Sequence, residues 1–338
     1  MKSRRSYPFR TVLSVVLSFT LLFFQYACKP SGEKEALPEK LTIACTTNPA
    51  SALVQIAAKK GFFSQAGLDV TVQPYEFGKL ALDAVIDGKA DMATAADTPV
   101  MYAILGGNAI TTFAVIETST QNQVIVARKD RNIGSVDALK GKIIGVTKGT
   151  TGDFFTDSIL MIHNIGKEQV SIVNLMPNEM PDAILTGKVD AVSIWNPTAA
   201  QIMRSLGGNG IIFMGDSIYM ESFCLVSMKT YALTHSDTVR KVLRALIMAQ
   251  AFVIDSPKEA EKIVSDFCLM DWVVLDDIWN FYSFNVTLDQ TLIVNLENQT
   301  RWAIKNDLIH RNDMPNYLDF ISPEILQSVK PEAVRIIR

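Results

Sequence analysis

The sequence lacks the residue groupings that metal sites and common catalytic motifs require. Its three histidines, His163, His235 and His310, lie far apart, and none has a histidine or cysteine partner at metal-ligand spacing. No glycine-framed nucleophilic serine and no phosphate-binding loop occurs. We therefore expect a protein without catalytic residues, without a bound metal and without a cofactor.

Paired cysteines and basic clusters are also missing. Apart from Cys28, the cysteines are Cys45, Cys224 and Cys268, and their wide spacing in apolar surroundings favours free thiols over a disulfide framework. Lysine and arginine are scattered and the formal net charge is −3, so nothing favours nucleic acid as a partner. Beyond residue 24 no apolar run is long enough to span a bilayer.

The first residues have the composition of an export signal. The chain begins with four basic residues, Lys2, Arg4, Arg5 and Arg10. The apolar run at residues 11–24 suits a secretory signal and is short for a membrane span. The junction before Cys28 resembles a bacterial lipoprotein signal, with an ordinary cleaved signal as the alternative. We expect a signal peptide at 1–27, a lipid on Cys28, and a flexible tether at 28–40, which is rich in charge and proline.

One short pattern of residues occurs twice, and equivalent positions in the two copies are 99 residues apart. It stands at Asp83-Ala84, Gly88-Lys89 and Asp91, and again at Asp182-Ala183, Gly187-Lys188 and Asp190. In both copies a helix-like stretch precedes the glycine, which suits the left-handed end of a helix. An apolar run follows the last aspartate, as expected of a buried parallel strand. The duplication indicates two similar lobes, with a cleft between them that can hold a small molecule.

Short apolar runs alternate with helical patterns from residue 41 to about 215, which predicts an α/β fold with parallel strands. The predicted strands are 41–45, 68–73, 92–96, 110–116 and 123–127 in a first sheet, then 143–146, 170–175, 190–194 and 211–213 in a second. After a strand at 223–227, the pattern is helical through residue 310. We expect lobe 1 to comprise 41–128 and 222–338, and lobe 2 to comprise 129–221, with two crossings that form a hinge.

Four helix starts are predicted where strands end, and ligands bind at such ends in parallel α/β sheets. Asn48-Pro49, Thr98-Pro99 and Asn196-Pro197 each place a capping residue before a proline, which is a strong helix start. The turn at Lys148–Asp153 is rich in glycine and threonine, so its N–H groups can approach a ligand closely. Four such starts around one cleft would favour an anionic group.

Acidic residues near the same strand ends leave the sign of the ligand charge open. Asp97 and Asp153 lie beside two of the helix starts, and Glu117 and Glu221 lie near strand ends. A carboxylate beside a helix start is often only a charge-complementary neighbour. Two acids that face the ligand would instead favour a cationic or amine-bearing compound. Tyr75, Phe77 and Trp195 could each present an aromatic face to a ligand. The alternative is that these side chains pack in the core.

Taken in order, these motifs resemble the type II periplasmic solute-binding proteins of ABC importers, in the group that binds sulfonates, taurine, nitrate and thiamine precursors. The resemblance rests on Thr46-Thr47-Asn48, Gly61-Phe62-Phe63, Gly88-Lys89-Ala90-Asp91, Ala96-Asp97-Thr98-Pro99, Leu139-Lys140-Gly141-Lys142, Ile144-Gly145-Val146, Lys148-Gly149-Thr150-Thr151, Gly187-Lys188-Val189-Asp190 and Trp195-Asn196-Pro197. It covers residues 40–230 well and the remainder loosely. It implies a two-lobed α/β fold, with parallel-rich sheets, helices on both sheet faces and a ligand cleft between the lobes.

The resemblance also implies a site and a role. Ligand contacts would fall on Asn48, Asp97, Thr98, Thr150, Thr151, Trp195 and Asn196, and Thr47, Gly149 and Glu221 complete the predicted site. The protein would be an exported, lipid-anchored monomer on the periplasmic or extracellular side. It would deliver a sulfonate, nitrate, carboxylate or pyrimidine-like solute to a permease with ATPase subunits.

Two other roles remain open. One is a ligand-sensing lipoprotein that feeds a receptor rather than a permease. The other is an enzyme like the pyrimidine synthases of thiamine biosynthesis, which have a similar fold. Those enzymes rely on a cysteine-rich motif and a reactive histidine within a cytosolic body, and this sequence shows no clustered cysteines.

Overall fold

The computed structural model describes residues 37–215, 218–310 and 313–337. The predicted signal peptide, Cys28 and the tether up to residue 36 lie outside these ranges. The strands are β1 (Glu39–Thr46), β2 (Leu68–Tyr75), β3 (Met92–Ala96), β4 (Ile110–Ser119), β5 (Gln123–Arg128), β6 (Ile143–Val146), β7 (Ser171–Asn174), β8 (Ala191–Trp195), β9 (Gly210–Met214), β10 (Glu221–Met228), β11 (Leu288–Asp289) and β12 (Val334–Arg335).

Helices follow most strands in the first two thirds of the chain and predominate after it. They are α1 (Ala52–Lys59), α2 (Phe62–Gln65), α3 (Gly78–Ile86), α4 (Asp97–Leu105), α5 (Thr151–Ile162), α6 (Met180–Leu185), α7 (Thr198–Leu206), α8 (Lys229–Thr234), α9 (Ser236–Asp255), α10 (Pro257–Cys268), α11 (Trp272–Ile278), α12 (Gln290–Lys305) and α13 (Pro323–Gln327). Within the described ranges, none of these helices has the length and apolar character needed to cross a membrane.

The first sheet has the strand order β2-β1-β3-β10-β4. Strand β1 is parallel to β2 and β3, whereas β10 is antiparallel to both β3 and β4. Helix α3 packs on one face and α1 and α9 pack on the other. Every residue of β3 is buried as a result, which is why its sequence is a continuous run of small and apolar residues without alternation.

The second sheet has the order β7-β6-β8-β5-β9, in which β5 is antiparallel to β8 and β9. Helix α5 covers one face of this sheet, and α6 and α7 cover the other. The assignment of residues 123–127 to the first sheet is therefore wrong. A strand that is buried on both faces has a continuous apolar sequence whichever sheet it joins. The sheet is decided by long-range packing, which the local sequence does not reveal.

The structure confirms that one helix–turn–strand unit occurs twice. Gly88 follows α3 with φ of 71° and Gly187 follows α6 with φ of 78°, so both glycines occupy the left-handed region. In the first copy, Asp91 accepts a hydrogen bond from the Thr42 N–H at 2.7 Å. In the second, Asp190 accepts one from the Ile143 N–H at 2.9 Å. Each aspartate thus joins the start of one strand to its parallel neighbour.

The late helices pack against the first sheet, as expected. Leu243, Leu246 and Leu292 are fully buried in the same core as the strands of that sheet. The expectation of helices alone through residue 310 is wrong in one detail, because β11 forms a two-residue parallel pair with β12. The three cysteines of the described chain are free, which confirms the predicted thiols.

Candidate functional site

A small cavity lies where the carboxyl ends of the parallel strands in the two sheets come together. It encloses about 30 Å³, which is room for about two water molecules. Its walls come from both sheets and from the segments between them. The lining residues are Asn48, Phe77, Gly78, Lys79, Ala96, Pro99, Asn122, Thr150, Thr151, Trp195, Glu221 and Phe223. Half of the predicted site residues are among them: Asn48, Thr150, Thr151, Trp195 and Glu221.

The other predicted residues lie beside the cavity and are absent from its lining. Thr47 directs its hydroxyl to the Tyr75 carbonyl at 3.3 Å. Asp97 and Thr98 are fully buried at the start of α4. Gly149 lies in the turn before α5, and the Asn196 amide donates to the Gln121 carbonyl at 3.3 Å.

Asn48 is a helix cap, as the sequence predicts. Its Oδ1 accepts hydrogen bonds from the Ala50 N–H at 3.1 Å and from the Thr46 hydroxyl at 3.0 Å. The Gln55 amide donates to the Asn48 carbonyl at 2.9 Å. Because the side-chain oxygen already has two donors, this residue is held in one orientation at the cavity wall.

Two of the predicted caps are wrong. Helix α4 begins at Asp97, so Thr98 lies inside its first turn, and the capping position is Ala96, which has no side-chain oxygen. Helix α7 begins at Thr198, so Pro197 is the capping residue and Asn196 precedes it. A capping residue followed by proline is a pattern of helix starts in general, and it does not fix the first helical residue to within one or two positions.

The glycine- and threonine-rich turn forms the start of α5. Gly149 has φ of 73°, which favours glycine, and Thr150 is the capping residue. The Thr150 hydroxyl donates to the Thr147 carbonyl at 2.7 Å instead of capping the helix. The Gly149 N–H donates to Asp153 at 3.1 Å. Asp153 therefore stabilises the turn before its own helix, in agreement with its interpretation as a charge-complementary neighbour of the helix start.

The start of α3 also lines the cavity, through Phe77, Gly78 and Lys79. The sequence predicts Phe77 as an aromatic face of the site, but it does not predict Gly78 or Lys79 there. A Cβ on Gly78 would lie 2.9 Å from the Cα of Ala95, so only glycine lets this helix approach β3 so closely. The sequence feature that could have indicated this approach is a glycine directly before the lysine at which the helix is predicted to begin. It is weak because glycine is common at helix starts for other reasons.

Three carboxyl groups are buried around this cavity. Glu221 lines it, and Asp97 and Glu117 lie in the same part of the first sheet. Burial raises the pKa of Glu221 to about 8, repulsion from Asp97 adds to the rise, and a hydrogen bond from Asn122 opposes it. Burial also raises the pKa of Asp97, and it raises that of Glu117 well above its ordinary value, with repulsion from Glu221 and Asp97 contributing.

The partners of these carboxyl groups differ. Asp97 accepts hydrogen bonds from the Tyr219 hydroxyl, from the Asn295 amide at 2.9 Å and from the Ser222 N–H at 3.3 Å. Glu117, by contrast, is fully buried and neither of its side-chain oxygens has a hydrogen-bond partner in the described structure. An unpaired buried carboxyl group destabilises the folded state, because it has lost its hydrogen bonds to water and has formed none with the protein.

The two segments that connect the sheets meet at the cavity. The first connection lies between β4 and β5 and contains Asn122; the second precedes β10, whose first residue is Glu221. The Asn122 amide donates to Glu221 at 2.8 Å. The Tyr282 hydroxyl in turn donates to the Asn122 Oδ1 at 3.0 Å. The polar chain Tyr282–Asn122–Glu221 thus ties both connections to the C-terminal region.

Side chains from the two sheets also touch across the cavity and beside it. Phe77 precedes α3 and Trp195 ends β8, and their ring centroids lie 6.2 Å apart. On a neighbouring side, the Trp302 indole donates to Asp157 of α5 at 2.7 Å, and Phe154 lies with its ring 5.3 Å from Trp302. These contacts hold the two sheets together around the small cavity.

This architecture is that of the periplasmic binding proteins. The periplasmic aliphatic sulphonate binding protein SsuA from Escherichia coli superposes with a TM-score of 0.72, covering 81% of this chain and 94% of that chain at 17% identity. The periplasmic nitrate-binding protein NrtA from Synechocystis PCC 6803 gives a TM-score of 0.70, covering 87% and 88% at 15% identity. At such identities the likeness shows the fold.

Sequence comparison identifies the family. Residues 48–260 match the family model described as NMT1/THI5 like, and the chain therefore belongs to that family. A Bacillus subtilis (strain 168) protein named for aliphatic sulfonate binding is 26% identical over 256 residues, which cover 73% of this chain and 75% of that protein. The predicted resemblance is thus confirmed for both fold and family.

Proposed function

We propose that this protein is the extracytoplasmic solute-binding component of an ABC importer. It captures a small solute between two lobes, one built on each sheet, and delivers it to a membrane permease. Residues 120–122 and 218–220 belong to the two connections between the lobes and form part of the hinge. The observation that carries the proposal is the cavity itself, because its walls come from both sheets, as expected of a site that closes when one lobe moves against the other.

The relatives support this role. The Escherichia coli and Synechocystis proteins with this fold are named as periplasmic binding proteins for a sulphonate and for nitrate. The predicted ligand contacts that line the cavity come from both sheets, with Asn48 and Glu221 from the first and Thr150, Thr151 and Trp195 from the second. A ligand that contacts both lobes stabilises the closed form relative to the open form, because some of its contacts exist only when the lobes are closed.

The test begins with protein that has been unfolded, dialysed and refolded to remove any bound molecule. It is incubated with a bacterial small-molecule extract, washed and denatured, and the released compounds are identified by mass spectrometry. We expect one compound to be enriched, to raise the melting temperature, and to be taken up more slowly by cells that lack the gene. Enrichment of no compound and an unchanged melting temperature would contradict the proposal.

We also propose that a lipid on Cys28 anchors the mature protein, with the residues that follow it as the tether; the predicted bound of 28–40 is too long, because β1 begins at Glu39. The support is the sequence of the export signal, since Cys28 and the tether up to residue 36 lie outside the described residues. In cells, the wild-type chain should remain with the membrane fraction after high-salt washing. The Cys28→Ala variant should appear in the soluble extracytoplasmic fraction. Equal fractionation of the two would argue for an ordinary cleaved signal.

A further inference from the structure

The charge of the cavity walls differs from what an anion-binding site needs. Among the residues that line the cavity, Lys79 is the only one with a positively charged side chain. Its ammonium group is 2.7 Å from Asp83, and the two side chains are nearly half exposed. No lining residue is an arginine or a histidine. An anion would therefore meet one neutralised, hydrated lysine on one side and buried carboxyl groups on another.

Several buried side-chain oxygens near the cavity accept no hydrogen bond from the described residues. Both oxygens of Glu117 lack a hydrogen-bond partner, and so does Oε1 of Gln123. Glu117 is paired with Phe223 across β4 and β10, and Phe223 is paired with Ala96 across β10 and β3. Phe223 and Ala96 both line the cavity. Residues directly opposite one another in a sheet share a face, so Glu117 lies in the row of the sheet that forms this wall.

Glu221 extends the same wall. It is two residues before Phe223 on β10, so both side chains lie on one face of the strand, and it lines the cavity with 3% of its surface exposed. Glu117 is paired with Phe223, so Glu117 and Glu221 are diagonal neighbours on the same face of the β4–β10 pair. Two neighbouring buried carboxyl groups with unfilled acceptor positions can bind N–H donors, and a cation stabilises their ionised form, which burial and mutual repulsion disfavour in the ligand-free protein.

We propose that the cleft takes a small organic cation with an amine or amidine group, whose N–H donors are bound by Glu221 and Glu117. This inference rests on the proposed solute-binding function and specifies its ligand class. The apolar part of the ligand lies against Phe77 and Trp195, which line the cavity and whose ring centroids are 6.2 Å apart. A bound cation also favours the ionised form of these carboxyl groups, whose negative charge then outweighs the partial positive charges of the helix starts at the cavity.

Isosteric probes test this inference directly. Acetamidine and acetate have nearly the same shape and opposite charge, and benzamidine and benzoate form a larger pair of the same kind. Methanesulfonate and nitrate complete the anion series. With the full mature protein, titration calorimetry should show that an amidine binds at least tenfold more tightly than its matched carboxylate. An amidine bidentate to a carboxylate is a strong charge-assisted hydrogen-bonded pair.

Variants then locate the contact. Glu221→Gln and Glu117→Gln keep the side-chain shape and remove the charge, and each should weaken amidine binding at least tenfold while leaving acetate binding unchanged or improved. Glu259→Gln, in an exposed position on α10, is the matched control and should bind like the wild type. The wild-type ratio between isosteric probes needs no variant, so the inference stays testable even where a substitution impairs folding.

The outcomes separate this inference from the proposed function. If acetate, benzoate, methanesulfonate or nitrate binds more tightly than the amidines, the cation inference is overturned and the solute-binding function stands. If no probe of either charge binds, the cation inference is likewise overturned, and the refolding and uptake experiment above decides the function independently. Tight amidine binding that persists in both Glu→Gln variants would overturn the assigned contacts.

Discussion

The side-chain amide of Asn122 donates a hydrogen bond of 2.8 Å to the carboxyl group of Glu221, and this bond joins the two segments that connect the sheets. Glu221 also lines the cavity. One carboxyl group therefore belongs both to the proposed hinge and to the proposed ligand site. If so, a ligand that binds Glu221 would change the contacts at the hinge, and closure of the hinge would in turn place Glu221 against the ligand.

The first prediction concerns this bond. Asn122→Ala removes the donor to Glu221 and the nearer acceptor for the Tyr282 hydroxyl, which keeps a longer bond of 3.4 Å to the Asn196 carbonyl, so two buried groups each lose a hydrogen bond. We expect a loss of about 1–3 kcal/mol in the free energy of unfolding for each such group. Urea denaturation measures it. The exposed Asn298→Ala on α12 is the control, and equal stability of the two variants would contradict the role given to Asn122.

The second prediction concerns pH. Glu221 has a folded-state pKa of about 8, above its ordinary value of 4.5, and burial raises the pKa values of Asp97 and Glu117 as well. Between pH 5 and pH 8 the folded state therefore binds more protons than the unfolded state, so stability falls as pH rises. The melting temperature of the ligand-free protein should be higher at pH 5 than at pH 8. In Glu221→Gln this dependence should weaken.

The third prediction concerns the close approach of α3 to β3. In Gly78→Ala the new methyl group meets backbone atoms, the Cα of Ala95 at 2.9 Å and the nitrogen of Ala96 at 3.3 Å. Because displacing backbone atoms requires the strand itself to shift, we expect the free energy of unfolding to fall by about 1–3 kcal/mol. We also expect weaker ligand binding. Gly208→Ala is the matched control, because a Cβ there meets nothing within 4 Å. Thermal melts of both variants give the comparison, and a Gly78→Ala protein as stable as the control would refute the packing argument.

The fourth prediction concerns Trp195, which is half-buried at the end of β8 and faces Phe77. A ligand at a hundredfold excess over its dissociation constant stabilises a protein by about 2.7 kcal/mol. We expect Trp195→Ala to fold without ligand and to lose the ligand-induced rise in melting temperature. Trp272→Ala, on α11, should retain it. A full ligand-induced rise in Trp195→Ala would remove this residue from the site.

The duplicated motif predicted the fold because its residues act locally. Gly88 and Gly187 end helices in the left-handed conformation, and Asp91 and Asp190 bond the neighbouring strand. Such requirements are set by a few adjacent residues, so the sequence displays them. The strands at 92–96 and 191–195 could be recognised for the same reason, since burial on both faces demands a continuous apolar run.

The sheet that β5 joins and the polar chain through Asn122 could not be predicted in this way. Asn122 contacts Glu221 and Tyr282, which are 99 and 160 residues distant in sequence. Such pairings follow from how the two sheets and the late helices pack, and nothing in the residues around Asn122 specifies them. Glu117 was recognised as an acid near a strand end, but its lack of a partner appears only in the folded chain.

The central claim is that two lobes close on a solute, and small-angle X-ray scattering tests it most directly. Scattering is recorded for refolded, ligand-free protein and again after addition of the enriched compound at saturation, with calorimetry on the same sample to establish binding. The account predicts that the radius of gyration falls on binding and that Trp195→Ala shows no such fall. A compound that binds with measurable heat while the radius of gyration of the wild-type protein stays the same would contradict it.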